Sequence, residues 1–367
     1  MPTGRHADIQ CFDTVPPSLA EELDTLYQHI NSSLRHHVFR DRARGASAYV
    51  ARSEDGPLAI FLFHIENKRI RVLNEMVEIP PEEIERFVRH VFEHYPAVST
   101  ISFSLIGRRV GALSRPFQQH GHSEDIVISL PASPEAYLAS LGAKTRYNIK
   151  HQQKALARDR PRFHFVTLEG KDIQPHFVRE LIALKRTNMD DKGIPFGISP
   201  KEEAWLVKEA YGNGLLVLAV EDGQLHGGLL SLRMGEHYFA HVGAYAAPFA
   251  RYSLGMLCCY QVMKETIARK AKETHLSWGR QQYKFKLRGV KREMANLDVY
   301  RSRIAYWRHA PRLAKHAVAD CTERTRRILL DSEHGEDALA ALARTVIGGM
   351  RALKRAAYRA KRSTVLR

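Results

Sequence analysis

The sequence lacks any long hydrophobic run, and its longest uninterrupted apolar stretch is Leu215 to Val220. A membrane-spanning helix needs about 20 such residues, so we predict no transmembrane segment. The first residues also lack the apolar stretch of a secretory signal, and we therefore expect a cytoplasmic protein.

Cysteine is scarce, and metal-ligating motifs are missing. The four cysteines, Cys11, Cys258, Cys259 and Cys321, do not have the spacing of a zinc site, and the adjacent pair is poorly placed for a disulfide. The 19 histidines include no HExxH pair. We expect small buried thiols and no bound metal.

The charge is strongly one-sided, because 56 Lys and Arg outnumber 40 Asp and Glu and leave a net charge of +16. Residues 311–367 hold thirteen basic and six acidic residues, and residues 144–162 hold seven basic residues against Asp159 alone. Such a surplus favours polyanionic partners, either nucleic acid, anionic lipid or a phosphate-rich cofactor, and does not choose among them.

The order of predicted elements repeats along the 367 residues, a length that favours two domains and a tail. Three strands from Ala48, a helix over about 80–96 and a strand match three strands from Leu215, a helix over about 253–270 and a strand. Turns of sequence Glu-Asp-Gly start at residues 54 and 221. We infer two copies of one β-β-β-α-β unit.

The second copy has additional elements before its first strand. One or two helices over about 134–160, a strand near Phe163, a helix to about Asn188 and another from the capping box at Ser199 precede Leu215. The second copy therefore has the order β-α-α-β-β-β-α-β. This order predicts an α+β fold with mixed central sheets flanked by helices.

A candidate phosphate site lies between the third strand and the helix of the second copy. A helix that opens at Gly255 with no acid in its first turn presents unpaired N–H groups and a positive dipole end, and Arg251 adds a fork of donors. A glycine at such a joint is also typical of an ordinary tight turn. In the first copy, the equivalent stretch carries Glu75, Glu78 and two prolines, which would repel phosphate and remove amide donors.

From this segment onward the chain resembles the GNAT acyltransferase superfamily. Residues 137–286 are most similar to the CelD/BcsL-like acetyltransferases, tandem GNAT folds related to the Fem aminoacyltransferases. The resemblance rests on YLASLGAKTRYNIKHQQKAL, LIALKRTNMDDKG, FARYSLGMLCCYQVMKETI and the closing WGRQQYKFKLRG. It implies a degenerate GNAT-like domain over 1–131, an acyltransferase domain over 132–310 and a basic helical tail over 311–367.

The resemblance also implies roles for residues. Acetyl-CoA or another acyl-CoA would be the acyl donor. Tyr283 would protonate the thiolate, Lys284 would steady an anion or the acceptor, and His241 is the best base by type because its ordinary pKa is near neutral. The residues expected at the phosphates are Arg251, Tyr252, Ser253, Leu254, Gly255, Met256 and Arg280. The family usually has an acidic residue just before the glycine that matches Gly279. This chain has Ser277 and Trp278 there, so the resemblance assigns no catalytic carboxylate at this place.

Two basic segments suggest partners. Lys144 and Arg146 at the start of the connecting helix, together with Arg186, are candidate acceptor-binding residues, and a solvated helix face explains them equally well. In the tail, an apolar stripe from Leu339 to Leu353 lies opposite a row of arginines. Such a helix would dock on the body, pair with a second copy or contact an anionic membrane.

Three hypotheses for function follow. The first is a cytoplasmic acyl-CoA-dependent N- or O-acyltransferase of polysaccharide biosynthesis that acts on a polysaccharide precursor, sugar or amine metabolite. The second is a Fem-like transferase that uses aminoacyl-tRNA. The third is a non-catalytic basic scaffold that binds nucleic acid or a membrane. No local feature of the sequence identifies the acceptor.

Overall fold

The computed structural model describes residues 7–107, 110–309 and 311, and it divides the chain into two compact units. Unit 1 contains the described residues up to Val127, the turn Met234–His237 and the residues from Val290 onward. Unit 2 contains residues 128–233 and 238–289. The sequence-based boundary at residue 131 lies close to the first division, whereas residues 290–309 lie in unit 1 and not with the second domain. The predicted tail helix lies outside the described residues.

Unit 1 begins with six strands and three helices in sequence order. The strands are β1 (Asp8–Phe12), β2 (Ser47–Ser53), β3 (Gly56–Glu66), β4 (Arg69–Val72), β5 (Thr100–Gly107) and β6 (Phe117–Ser129), whose last two residues fall in unit 2. The helices are α1 (Leu19–Tyr27), α2 (Leu34–Phe39) and α3 (Pro81–His94). β4 and β5 pair in parallel, because α3 crosses over between them.

Unit 2 follows with six helices and five strands. The helices are α4 (Pro134–Ser140), α5 (Ala143–Asp159), α6 (Pro175–Asp191), α7 (Pro200–Asn213), α8 (Leu254–Ala268) and α9 (Gln282–Lys286). The strands are β7 (His164–Glu169), β8 (Gly214–Glu221), β9 (Gln224–Met234), β10 (His237–Tyr245) and β11 (Glu273–His275), and they lie in the order β11-β10-β9-β8-β7. β12 (Val290–Tyr300) and α10 (Arg303–Arg308) then complete unit 1.

The predicted repeat of element order is present, and it is longer than the sequence indicated. Unit 1 contains β2-β3-β4-α3-β5 and unit 2 contains β8-β9-β10-α8-β11. Unit 1 also starts with β1, α1 and α2, so both units have the order β-α-α-β-β-β-α-β. The sequence analysis missed these elements because β1 is short and mostly exposed and α2 has only 6 residues, which gives little periodicity. The α+β class with mixed sheets flanked by helices is confirmed.

Helices cover both faces of the unit 2 sheet. Neighbouring strand residues point to opposite faces. A Cβ placed on Gly227 would lie 3.0 Å from the Leu254 side chain of α8, and one on Gly228 would lie 3.3 Å from the Leu181 side chain of α6. The neighbouring strand β8 is fully buried over Leu215 to Ala219. A run of apolar residues that does not alternate with polar ones is typical of a strand whose two faces are both covered.

In unit 1, α3 packs its apolar face on the sheet. Phe87 of α3 lies between Phe61 and Phe103, with ring centroids 4.8 and 6.0 Å apart, and all three rings are buried. This is the face that the 3.6-residue periodicity predicts. No helix of the described residues combines the length and the apolar character that crossing a membrane requires.

β12 lies between β5 and β6 and is antiparallel to both. Its Asp298 carboxylate, 2% exposed, accepts hydrogen bonds from side chains on three other strands. Arg69 of β4 donates to Oδ1 at 2.8 Å, Ser102 of β5 donates to the same oxygen, and His120 Nε2 of β6 lies 3.1 Å from Oδ2. One buried carboxylate therefore connects four strands of the unit 1 sheet.

Burial alone would raise the pKa of Asp298. The hydrogen bonds from His120 and Ser102, together with the charge of Arg69, hold that pKa well below its usual range. A carboxyl whose pKa falls on folding stabilises the folded protein above its unfolded pKa of about 3.9, and this contribution is lost as the pH falls below that value.

We expect Asp298→Asn to lower the free energy of unfolding by about 3–5 kcal/mol at pH 7, because it leaves Arg69 beside a neutral buried amide. The difference from wild type should shrink as the pH falls from 5 to 2. Urea unfolding at several pH values measures both effects. Asp55→Asn, in an exposed turn, is the control. Wild-type stability of Asp298→Asn at pH 7 would contradict this account.

Candidate functional site

The candidate phosphate site lies where the chain passes from β10 to α8. After Tyr245 the chain forms a short 3-10 helix, Ala247–Tyr252. Ser253 then takes a left-handed backbone conformation, with φ of 51°, and α8 begins at Leu254. No acidic residue lies in the first turn of α8. The positive end of the helix dipole is therefore not neutralised by a carboxylate of its own first turn.

The first turn of α8 has fewer open amide donors than the sequence analysis expected. The amides of Met256 and Leu257 donate to the Ser253 carbonyl at 2.8 and 3.1 Å, and the Ser253 amide itself donates back into the preceding turn. Within 253–257, the amides of Leu254 and Gly255 donate to no backbone carbonyl in the described chain. These two N–H groups remain for an anion, and the Met256 and Ser253 amides do not.

Arg251 is exposed beside this turn and lies against Tyr252. Its Nη2 donates to the Tyr252 hydroxyl at 2.5 Å, and its guanidinium carbon lies 4.7 Å from the ring centroid. The buried Tyr252 hydroxyl in turn donates to Asp159 at the end of α5, at 3.1 Å. This arrangement fixes the guanidinium and leaves several of its five donors for a phosphate. Tyr252 therefore orients Arg251.

Asp159 is a neighbour of the site that the sequence analysis counted only as the lone acid in a basic segment. Hydrogen bonds from Arg158 and Tyr252, and the charges of Arg158 and Arg251, lower the pKa of Asp159 although desolvation opposes them. The carboxylate is thus paired on both sides, and it reaches Arg251 only through the tyrosine hydroxyl.

Gly255 has a packing role in addition to any ligand role. A Cβ at this position would lie 2.9 Å from two ring atoms of Tyr245 at the end of β10. Contacts that short force the ring or the helix to move. Any side chain at 255 therefore disturbs the packing of α8 on β10, whether or not a phosphate binds.

Tyr283 lies near the same helix. It sits in α9, after β11, which ends at His275. Desolvation and the neighbouring Cys259 thiol raise the pKa of Tyr283 above its ordinary value, while the residue is 37% exposed. Cys259 is four residues after Gly255, so both lie on one face of α8, about 6 Å apart along its axis. A phenol that stays protonated thus lies near Cys259 of α8.

Lys284 does not have the role that the sequence analysis gave it. Its ammonium, on a residue only 3% exposed, donates to the carbonyls of Leu276, Ser277 and Trp278 at 2.6, 3.0 and 2.7 Å. An ammonium has three hydrogens, and these bonds use all of them. Lys284 therefore holds the loop after β11 and has no donor left for an anion or an acceptor.

His241 lies on β10, and Arg280 lies in the segment between β11 and α9. His241 is exposed on β10, with its ring 5.8 Å from that of Trp205. The neighbouring Ala240 carbonyl accepts a hydrogen bond from Ser277 Oγ at 3.5 Å, which places the loop beside the histidine's strand. Arg280 is half-buried in the segment between β11 and α9.

The three candidate acceptor-binding residues lie on two helices. Lys144 is exposed at the start of α5, and Arg146 donates to the Ala139 carbonyl at 2.7 Å, so its guanidinium partly closes the turn between α4 and α5. Arg186 of α6 is exposed, and its guanidinium carbon lies 4.6 Å from the centroid of the Phe196 ring.

Cys259 and Lys185 lie near each other, and the sequence predicts Cys259 only as a small buried thiol and gives Lys185 no role. Burial raises the pKa of Cys259 to about 12, although the nearby Lys284 and Lys185 charges oppose this shift. Burial and the charge of Lys192 lower the pKa of Lys185, while Cys259 raises it. No local sequence motif identifies either residue, because the interactions that shift their pKa values join residues of α6, α8 and α9, which are far apart in the sequence.

Residues 143–285 match the model of a family described as an acetyltransferase (GNAT) domain. No curated protein matches the chain in sequence. Among solved structures, that of FemX matches with a TM-score of 0.58 and 10% identity over 82% of this chain and 99% of its own. A conserved protein of unknown function from Bacteroides thetaiotaomicron matches with a TM-score of 0.51 and 12% identity over 79% and 99% of the two chains.

The C-terminal domain of a putative lysylphosphatidylglycerol synthetase from Agrobacterium fabrum matches with a TM-score of 0.49 and 14% identity over 83% of this chain and 96% of its own. Nothing in these findings tests the predicted CelD/BcsL-like subgroup. Residues 143–285 are therefore similar to GNAT acetyltransferase domains, and the fold of the chain is similar to that of FemX.

Proposed function

We propose that the protein is an acyl-CoA-dependent N- or O-acyltransferase acting on a polysaccharide precursor, a sugar or an amine metabolite. The observation that carries this proposal is the turn into α8. Arg251 lies in the short 3-10 helix just before it, two open amides lie in its first turn, and Cys259, the neighbour of Tyr283, lies one turn further along α8. The proposal includes a cytoplasmic location and a part in polysaccharide biosynthesis.

The donor set fits a pyrophosphate. Amide N–H groups at a helix N-terminus and a guanidinium are the groups that bind phosphate in proteins, and the first turn of α8 contains no acid. When bound, the acyl-CoA supplies the thioester whose acyl group moves to the amine or hydroxyl of the acceptor. In this assignment, the Leu254 and Gly255 amides and Arg251 hold and orient the phosphates.

Tyr283 holds the proton that a leaving thiolate needs. Because its pKa is raised, the phenol remains protonated at neutral pH, which is the state that a general acid requires. His241, which is exposed on β10, takes the role of the base that accepts the acceptor's proton. The C–S bond breaks and a C–N or C–O bond forms, so one proton leaves the acceptor and one reaches the sulfur.

Arg251→Ala should weaken acetyl-CoA binding roughly 10- to 100-fold, because one charge-assisted contact to phosphate contributes about 1.5–3 kcal/mol. Calorimetric titration of the folded variant measures this change. Arg179→Ala removes an exposed arginine of α6 and should leave affinity unchanged. Gly255→Glu is the weaker test, since its side chain would also displace the Tyr245 ring. Wild-type affinity in Arg251→Ala would exclude this phosphate site.

Tyr283→Phe should lower the rate of acyl transfer roughly 10²- to 10⁴-fold and leave acetyl-CoA affinity within about twofold. Thiol release with an amine or sugar acceptor follows the rate. Since burial raises the phenol's pKa, the wild-type rate should show no loss from this group up to pH 10. An unchanged rate in Tyr283→Phe would remove the general-acid role.

A second candidate function is an aminoacyl-tRNA-dependent transferase, and the exposed face of α5 favours it. Helical geometry places five exposed residues on one stripe at spacings of three and four: Lys144, Tyr147, His151, Lys154 and Arg158. The Tyr147 and His151 rings stack with centroids 5.7 Å apart. A cationic stripe with exposed aromatic rings is suited to a nucleic acid strand. The scaffold hypothesis rests on the net charge of +16 and on the basic tail.

If α5 binds RNA, the double variant Lys144→Glu/Lys154→Glu should weaken binding of a labelled tRNA at least tenfold. It should also flatten the dependence of log affinity on log salt by about 1.4, or 0.7 for each lost phosphate contact. Fluorescence anisotropy at several salt concentrations measures both quantities. Lys171→Glu/Lys208→Glu makes the same charge change at exposed positions elsewhere on unit 2. Equal losses in both double variants would indicate an unspecific charge effect and would exclude an RNA site on α5.

A further inference from the structure

The loop after β11 wraps around a buried ammonium. Three successive carbonyls, those of Leu276, Ser277 and Trp278, point at Lys284 Nζ within 3.0 Å. An extended strand would point alternate carbonyls in opposite directions. The convergence requires a reversal of the backbone, and Ser277 and Gly279 supply it with φ of 59° and 97°.

This loop is fixed on two sides. Charge-assisted hydrogen bonds from a buried ammonium are stronger than bonds between neutral groups, and breaking one would leave the charge unpaired. Ser277 Oγ also donates to Ala240 on β10 at 3.5 Å. A left-handed serine persists only where its surroundings enforce it. The loop conformation is therefore built into unit 2.

What this fixed loop presents is the indole of Trp278, which is 68% exposed. A large aromatic side chain held on the surface by a rigid backbone can bind a ligand without a further cost for ordering the loop. The planar polar side chains of Arg280, Gln281 and Gln282 follow it directly, and both glutamines are exposed. The Gln281 amide lies against the loop, since a Cβ on Gly279 would meet it at 3.0 Å.

We propose that Trp278, Gln281 and Gln282 form the subsite for one pyranose ring of an uncharged saccharide acceptor. The indole face packs on the ring's C–H groups, and each amide offers a donor and an acceptor to neighbouring hydroxyls. The Lys284 ammonium faces the three carbonyls, so the groups proposed to contact the ring are an indole and two uncharged amides, and this favours a neutral ring over a phosphate.

Lys284 is a positioning residue in this account. It touches no substrate, and it acts by holding the Trp278 carbonyl at 2.7 Å. It is also the sequence neighbour of Tyr283 in α9. The contact of Lys284 with the Trp278 carbonyl therefore connects the loop that carries the indole to the helix that carries the phenol. The link between sugar binding and acyl transfer rests on the proposed function, whereas the sugar subsite itself does not.

The test is titration of the full chain with cellobiose and with N-acetylglucosamine, followed by calorimetry and by tryptophan fluorescence. We expect saturable millimolar binding that falls at least tenfold in Trp278→Leu and less in Trp278→Phe, which keeps an aromatic face. Trp307→Leu is the matched control, since Trp307 of α10 is also 68% exposed, and it should bind like wild type. Absence of sugar binding, equal binding by Trp278→Leu, or a preference for uridine monophosphate would overturn the subsite.

Lys284→Met tests the positioning role by hydrogen exchange. Amides of residues 276–279 should exchange at least tenfold faster while the rest of unit 2 stays protected, and sugar affinity should fall with them. Unchanged exchange in a folded Lys284→Met protein would overturn this role. If Lys284→Met does not fold, Gly279→Ala tests the same loop by strain at its positive φ.

An acetyl-CoA titration of the same samples separates the two proposals. Sugar binding without acetyl-CoA binding would refute the acyl-CoA assignment and keep the subsite. Acetyl-CoA binding without sugar binding would refute the subsite alone.

Discussion

The position of β12 between β5 and β6 is the constraint on which unit 1 depends. β12, the last strand of the described chain, completes the strands of unit 1, and β1 to β6 all end before residue 130. Unit 2, residues 128–233 and 238–289, is therefore inserted into the sequence of unit 1. Asp298 holds β12 in position because its carboxylate accepts hydrogen bonds from Arg69, Ser102 and His120. A buried carboxylate with three donors contributes to the register of a strand, because a shift of one residue would remove all three hydrogen bonds that the carboxylate accepts.

Unit 2 depends in the same way on α8 and on one buried lysine. Gly255 lets α8 approach Tyr245 closely, and Cys259 lies beside the phenol of Tyr283. Lys284 fixes the loop that follows β11. The close packing of Gly255 on Tyr245 thus holds the helix that would bind the acyl donor. The hydrogen bonds of Lys284 hold the loop that would face the acceptor. A binding site assembled from loops needs such support to keep its geometry.

Local patterns in the sequence were sufficient for much of the fold. Alternation, turn residues and the apolar face of α3 predicted the repeated β-β-β-α-β order, because these signals lie within a few residues of each other. The same signals could not predict that β12 returns to unit 1, since strand partners depend on contacts between distant residues. The role of Lys284 was inaccessible for a similar reason. A lysine next to a tyrosine suggested a ligand contact, and only the reversed loop at Ser277 shows that its three hydrogens are already used.

The insertion also has a consequence for synthesis of the chain. β5 and β6 leave the ribosome about 160 residues before β12, which at roughly 5–20 residues per second corresponds to about 8–32 s. During that interval the edges of β5 and β6 that will pair with β12 have no partner, and unpaired strand edges are a template for aggregation. Unit 2 has all of its strands before β12 is made. Unit 2 is therefore in a position to fold first, while the sheet of unit 1 stays incomplete until its final strand is made.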